Sequence, residues 1–270
     1  MLPQPIWCVL VYLTITPLWL RAQDVLPIPY GHAHNDYQHS RPLEEALEAG
    51  FTSIEVDLYY LKGTFYVSHH RPLVRQKENT LEHLYLRPLQ TKLQESGAIY
   101  PGYRQPLFLM LDLKNGEKGM YEALKEVILP YQNLFRRFEG EFEIPAPMIL
   151  LVSGNRPVKS ILSDSLRLLR LDGRPSDLGK GIPSSWMPLI SDQYRNHSSW
   201  KGRRSIPESE QVQIAALIYQ THQEGKMLRF WALPANTKVW ATYLKMGLDW
   251  INTDDLTGLR EFHRQQLESP

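Results

Sequence analysis

The sequence predicts an α/β chain folded as one (β/α)8 TIM barrel, and three observations carry that expectation. Eight short, β-prone apolar runs succeed one another along the chain. Longer amphipathic or turn-rich stretches separate them, and no glycine-rich phosphate fingerprint stands behind any of them. Eight parallel strands in about 250 residues is the length such a barrel takes. The missing fingerprint speaks against the competing open, doubly wound sheet.

The expected strands are 27–33, 52–58 (TSIEVDL), 107–113 (LFLMLDL), 147–153 (PMILLVS), 166–171, 188–191, 227–232 (MLRFWA) and 248–253 (LDWINT). Helices fit between them: RPLEEALEAG closes at Gly50, MYEALKEVIL stops at Pro130, and SEQVQIAALIYQTHQEG stops at Gly225. TFYVS at 64–68, after a turn at Lys62-Gly63, reads as a hairpin added at the barrel mouth. The Pro- and Gly-rich stretch 172–188 and the basic segment 194–204 read as long loops.

A 270-residue chain with 43% hydrophobic and 22% charged residues can bury one substantial core, which excludes a disordered polymer. Its formal charge of +1 gives no global field to attract nucleic acid, so an anionic ligand must be held locally. Residues 1–22 contain no acid, and their apolar run from Ile6 to Leu20 is short and interrupted by proline. They are expected to be a secretion signal cleaved near Ala22/Gln23, with an uncleaved membrane anchor as the competing reading. Cleavage would export a domain of residues 23–270 with no cysteine, because Cys8 is the only one.

Side-chain parity singles out the chemistry. Glu55 and Asp57 are two apart at the end of one strand, so they share a face and repel unless a cation lies between them or one is protonated. Asp112 ends an equally apolar strand, where a lone carboxylate is unfavourable. With Asn35 these acids would supply hard oxygen ligands for Mg²⁺ or Ca²⁺, and with no cysteine nearby zinc is the poorer match. Lys114 has the parity of Asp112 and is either its salt-bridge partner or a clamp on an anionic substrate oxygen. His32, His34 and His69 also lie at strand ends, where two imidazoles on opposite sides of one reacting group can serve as general base and general acid.

Several other residues are candidates. Trp231 would form an apolar wall or pack in the core, and Arg156 in the loop after the fourth strand could reach a phosphate. Thr253-Asp254-Asp255 either caps the last helix or joins the site. Tyr194, Trp200, Lys201, Arg203 and Arg204 make a basic, aromatic loop that touches a membrane or is simply solvated.

The motifs His32-Ala33-His34-Asn35-Asp36-Tyr37, Ile54-Glu55-Val56-Asp57, Val67-Ser68-His69, Leu111-Asp112-Leu113-Lys114, Phe230-Trp231-Ala232 and Ile251-Asn252-Thr253-Asp254 follow in an order that resembles a known superfamily. It is that of the phosphatidylinositol-specific phospholipase C-like and glycerophosphodiester phosphodiesterases, and the resemblance is greatest to the branch that includes altered inheritance of mitochondria protein 6. The resemblance spans residues 31–255. It implies a barrel phosphodiesterase with one divalent ion held by Glu55, Asp57 and Asp112, His69 as second histidine and Lys114 at the phosphate. For the first histidine, His34-Asn35 is similar to the His-Asn of eukaryotic phospholipase C, which would make Asn35 a ligand. His32 with Asn35 is similar to the sphingomyelinase D pattern; His34 is preferred. The His-Arg-Gly and Pro-Glu-Asn of glycerophosphodiesterases are absent, and His70 stands where they carry aspartate.

The expected activity is therefore metal-dependent hydrolysis of a lipid or small-molecule phosphodiester by an exported monomer, with peripheral membrane contact and no nucleic acid partner. A catalytically silent module that binds a phosphorylated head group or sugar is the alternative. Glycoside hydrolysis fits poorly, because two acids on one strand lie on the same side of a site and the histidines would be idle.

Overall fold

The computed structural model describes residues 25–268. Its strands are β1 (Ile28–Ala33), β2 (Phe51–Leu61), β3 (Thr64–Val67), β4 (Leu107–Leu113), β5 (Arg137–Glu139), β6 (Phe142–Ile144), β7 (Met148–Gly154), β8 (Leu169–Gly173), β9 (Leu189–Gln193), β10 (Met227–Trp231) and β11 (Trp250–Thr253). Strands β1, β2, β4, β7, β8, β9, β10 and β11 pair in parallel in that order, and β11 returns to β1, so the sheet closes into an eight-stranded barrel. All eight expected strands are present. The last begins and ends near its expected limits, whereas β8 starts later than its apolar run because Arg167 has φ 45°, which breaks the extended backbone.

Two short additions decorate the barrel. Strand β2 runs past its parallel neighbours and turns back as β3, antiparallel to it, in the expected hairpin. The β5–β6 hairpin was not among the expected strands; its segments of three residues each are too short to show a period of two.

Helices α1 (Glu44–Glu48), α2 (Arg87–Ser96), α3 (Met120–Ile128), α4 (Val158–Ser163), α5 (Glu208–Gln223), α6 (Thr237–Met246) and α7 (Leu256–Glu268) accompany the sheet. Gly50 beyond α1 has φ +91°, and a Cβ there would lie 2.2 Å from the Leu26 carbonyl oxygen, so only glycine lets the chain enter β2.

Alternation along each strand separates two cores. Outward residues such as Ile54, Val56, Leu109, Leu111, Leu150 and Val152 belong to the large apolar layer between sheet and helices. Inward residues Phe108, Met110, Ile149, Leu151, Leu189 and Trp250 fill the barrel at the N-terminal side of its strands. Further along the same inward faces the side chains become polar and stay buried: His32, Glu55, Asp57, Ser153, Asp172, Ser191, Arg229 and Asn252. Buried polar groups persist only when paired. The C-terminal half of the interior is therefore a network, and it underlies the candidate site.

The expected leader and Cys8 lie outside the described residues. Among those described, no helix is long and apolar enough to cross a membrane. The segment 194–204 corrects one expectation: Tyr194 and Trp200 are buried, and the Tyr194 hydroxyl donates to the Trp200 carbonyl at 2.5 Å, so the aromatic rings pack inward rather than facing a lipid surface.

Candidate active site

Strands β2 and β4 bring the three acids together. Asp57 is in register with Asp112, and Glu55 projects from the same face one step deeper. One oxygen from each of Glu55, Asp57 and Asp112 lies within 4.8 Å of the others. Oxygens on opposite sides of a bound Mg²⁺ are about 4.1 Å apart and of Ca²⁺ about 5 Å, so this spacing suits a hard cation. Asp57 Oδ1 is buried without accepting a hydrogen bond, and the Lys114 ammonium stands 3.0 Å from it. Lys114 also lies 2.7 Å from Asp112 Oδ2. Burial and the Glu55 charge raise the Asp112 pKa, with Lys114 pulling the other way. For Glu55, burial alone would raise the pKa, but Arg229 and His32 outweigh it and hold the group well below the usual carboxylate range. Three hard acidic donors, with Lys114 and Arg229 as the lysine and arginine cations paired to them, therefore fit a divalent cation.

Gly154 makes room for this cluster. It has φ +66°, and a Cβ there would come within 2.0 Å of Asp112 Oδ1.

Two histidines face the cavity. His34 Nδ1 lies 2.8 Å from Asp254 Oδ1 and 3.0 Å from Asn35 Nδ2. Burial lowers the His34 pKa, but the hydrogen bond to Asp254 and the charges of Glu55 and Asp254 outweigh it, and the net shift is upward. Asn35, in the left-handed region at φ 49°, also lines the cavity. His69 Nδ1 lies 2.6 Å from Asp57 Oδ2, which in turn accepts from the Tyr37 hydroxyl at 2.9 Å. Each ring thus has a carboxylate at Nδ1, which fixes its orientation and leaves Nε2 for a ligand.

His32 sits beneath them, fully buried and stacked on Trp250 with ring centroids 5.4 Å apart. Its Nδ1 is 2.7 Å from Ser53 Oγ, and its Nε2 is 2.7 Å from Glu55 Oε2 and 2.6 Å from Arg229 Nη1. Burial, together with Arg229, lowers its pKa to about 4, so it is neutral near pH 7. The geometry makes His34 the cavity-facing member of the pair and His32 a brace for Glu55.

The cavity above these groups measures about 500 Å³, and Trp231 and Lys114 also line it. Trp231, 36% exposed, contributes an apolar wall. Arg156 does not line it. Its guanidinium donates to the Asp172 carbonyl at 2.5 Å and lies 3.5 Å from Asp177, and Arg174 occupies the cavity wall instead. The 253–255 triplet divides its work: Asp254 orients His34, whereas Asp255 accepts from Gly258 N at 2.8 Å and caps α7. A larger groove of about 810 Å³ between α1 and α2 contains none of these groups.

Several participants, Arg174 among them, were not anticipated. Arg229 donates to Glu55 and to Ser191 Oγ (3.1 Å), Asp172 accepts from Ser153 (2.7 Å) and Arg174 (2.9 Å), and Ser53 meets His32. The signal was present, because Arg229 and Asp172 are charges inside apolar strands, as Asp112 is.

The AIM6-like phosphodiesterase domain model matches residues 21–169, more than half of the chain. The chain belongs to this family. Of the site residues, His34, Glu55, Asp57, His69, Asp112 and Lys114 fall inside the matched segment of the AIM6-like domain. The altered inheritance of mitochondria protein 6 homolog of Arthroderma benhamiae is 25% identical over 97% of this chain and 93% of its own length. The protein of that name from Eremothecium gossypii is 24% identical over 89% of this chain and 71% of its own length. A glycerophosphodiester phosphodiesterase from Parabacteroides distasonis superposes with a TM-score of 0.57 at 13% identity, over 88% of this chain and 98% of that one, which shows a shared fold. This AIM6-like chain therefore has the fold of a phosphodiester hydrolase.

Proposed function

We propose that this chain is an exported phosphoric diester hydrolase that uses one divalent cation, Mg²⁺ or Ca²⁺, and acts as a monomer on a lipid-borne or small-molecule phosphodiester. The observation that carries the reading is the convergence of Glu55, Asp57 and Asp112 beneath a cavity whose wall holds His34, His69 and Lys114. Glu55, Asp57 and Asp112 would hold the ion. When bound, it would supply positive charge where negative charge builds on the phosphoryl oxygens.

The chain's own groups do the rest. One of His34 and His69 takes the proton of the attacking hydroxyl at its Nε2, and the other gives a proton to the leaving oxygen. Asp254 and Asp57 hold those rings and stabilise each while it is protonated. Lys114 offsets charge on the equatorial oxygens. Trp231 bounds the substrate on one wall, and Arg174 adds a guanidinium suited to an anionic or hydroxylated head group. If the substrate carries a neighbouring hydroxyl, that group attacks and a cyclic product forms; otherwise water attacks.

The test is hydrolysis of phosphodiesters from glycerophosphocholine to phosphatidylinositol, with ³¹P detection of cyclic products. Chelation is expected to abolish turnover, and Mg²⁺, Ca²⁺ or Mn²⁺ to restore it. Turnover indifferent to chelator would refute the cation role, and a ligand that binds and survives unchanged would favour a silent binding module.

A further inference from the structure

Residues 68–79 (SHHRPLVRQKEN) form a loop pinched at its base, where Val67 N donates to Asn79 O at 2.9 Å and Tyr66 pairs with Thr80. The loop leaves β3 through His69, which lines the cavity. At its tip Leu73 is 98% and Val74 70% exposed. Arg71, Arg75 and Lys77 around them are exposed, and among the described residues none of the three has a carboxylate partner.

A single exposed leucine is ordinary, and so is an exposed arginine. Two adjacent large apolar side chains at the end of a pinned loop, ringed by three unpaired cations, are a different case. Leu73 and Val74 belong to neither apolar cluster of the fold, and the loop's three cations outnumber its one acid, Glu78, on a chain whose formal balance is only +1. This is the chemistry of an interfacial anchor, in which apolar groups enter the acyl boundary and cations meet lipid phosphates. The basic stretch 201–204 lacks such a tip, since the neighbouring Trp200 is buried.

We propose that loop 68–79 docks this protein on a bilayer bearing anionic head groups. Leu73 and Val74 insert at the head-group boundary, Arg71, Arg75 and Lys77 pair with phosphates, and the mouth of the His69 cavity is held against the lipid surface. Docking and hydrolysis are separable: a chain that docks but turns over no phosphodiester upholds this proposal and sinks the other.

The test uses the full chain with Leu73→Cys in a Cys8→Ala background, carrying an environment-sensitive fluorophore. A second probe at Val212→Cys, 62% exposed on α5, serves as control. With phosphatidylcholine vesicles containing about 30 mol% phosphatidylserine, the label at 73 is expected to shift to the blue, brighten several-fold and be quenched by spin-labelled lipid, while the label at 212 stays unchanged. The triple variant Arg71→Gln, Arg75→Gln, Lys77→Gln is expected to lower partition onto those vesicles by on the order of 10²-fold, about fivefold per charge removed, with no change in melting temperature. An emission at 73 indifferent to vesicles, an equal response at 212, or the same blue shift without lipid, from contact with a second copy or a protein partner, each overturns the proposal.

Discussion

Replacing His69 with alanine is expected to lower turnover of a phosphodiester by about 10²–10⁴-fold, and His34→Ala to do the same. Each ring has its Nδ1 against a carboxylate and faces the cavity that holds the acid cluster, so each variant removes one proton-transfer step and leaves the cluster itself in place. Substrate chemistry then separates the roles. An ester with a nitrophenolate leaving group needs little protonation on departure, so the variant lacking the general acid recovers most of its rate on that substrate, and the variant lacking the base does not. His69 lies in an exposed loop, so His69→Ala should melt as the parent does. Turnover within about tenfold of the parent in both variants would contradict the acid–base assignment.

In protein stripped of divalent cations by chelator, Arg229→Met is expected to destabilise the fold by about 3–5 kcal/mol in chemical denaturation. Arg229 is the cation in contact with Glu55, both are almost completely buried, and the remaining neighbour, His32, is neutral near pH 7. The variant would leave a carboxylate uncompensated in the barrel interior, and Ser191 would lose its donor. Adding Glu55→Gln to that background removes the stranded charge and should return most of the lost stability without restoring activity. A single Arg229→Met variant within about 1 kcal/mol of the parent would show that the network is not what holds this half of the barrel.

Much of this architecture can be read from the chain alone, because strands buried on both faces read as near-continuous apolar runs in which an inward-facing acid stands out. LFLMLDL and TSIEVDL show apolar outward residues, and the inward acids interrupt the run. The same reasoning marked Asp112 and Lys114 correctly as neighbours. It passed over Arg229 and Asp172, whose partners are 174 and 19 residues away in sequence for the closest contacts, Glu55 and Ser153. A charge inside an apolar strand marks each as paired, but the identity of a long-range partner leaves no local trace. Arg156 misled because a loop arginine near a strand end can turn toward either a ligand or a carbonyl, and here it caps the Asp172 backbone. His32 and His34 share parity, so only the depth of burial separates the brace from the cavity-facing ring. The aromatic rings of 194–204 likewise could not be placed by composition, since a basic loop can fold its tyrosine and tryptophan into the core.

The central claim is that Glu55, Asp57 and Asp112 share one cation, and diffraction from crystals soaked in Mn²⁺, recorded at the manganese absorption edge, tests it most directly. The expected result is one anomalous peak within about 2.0–2.6 Å, the range of hard cations, of an oxygen from each of the three carboxylates, adjacent to His34 and His69. A map with no peak there, with Asp57 and Asp112 still paired to Lys114 in the presence of excess ion, would contradict it.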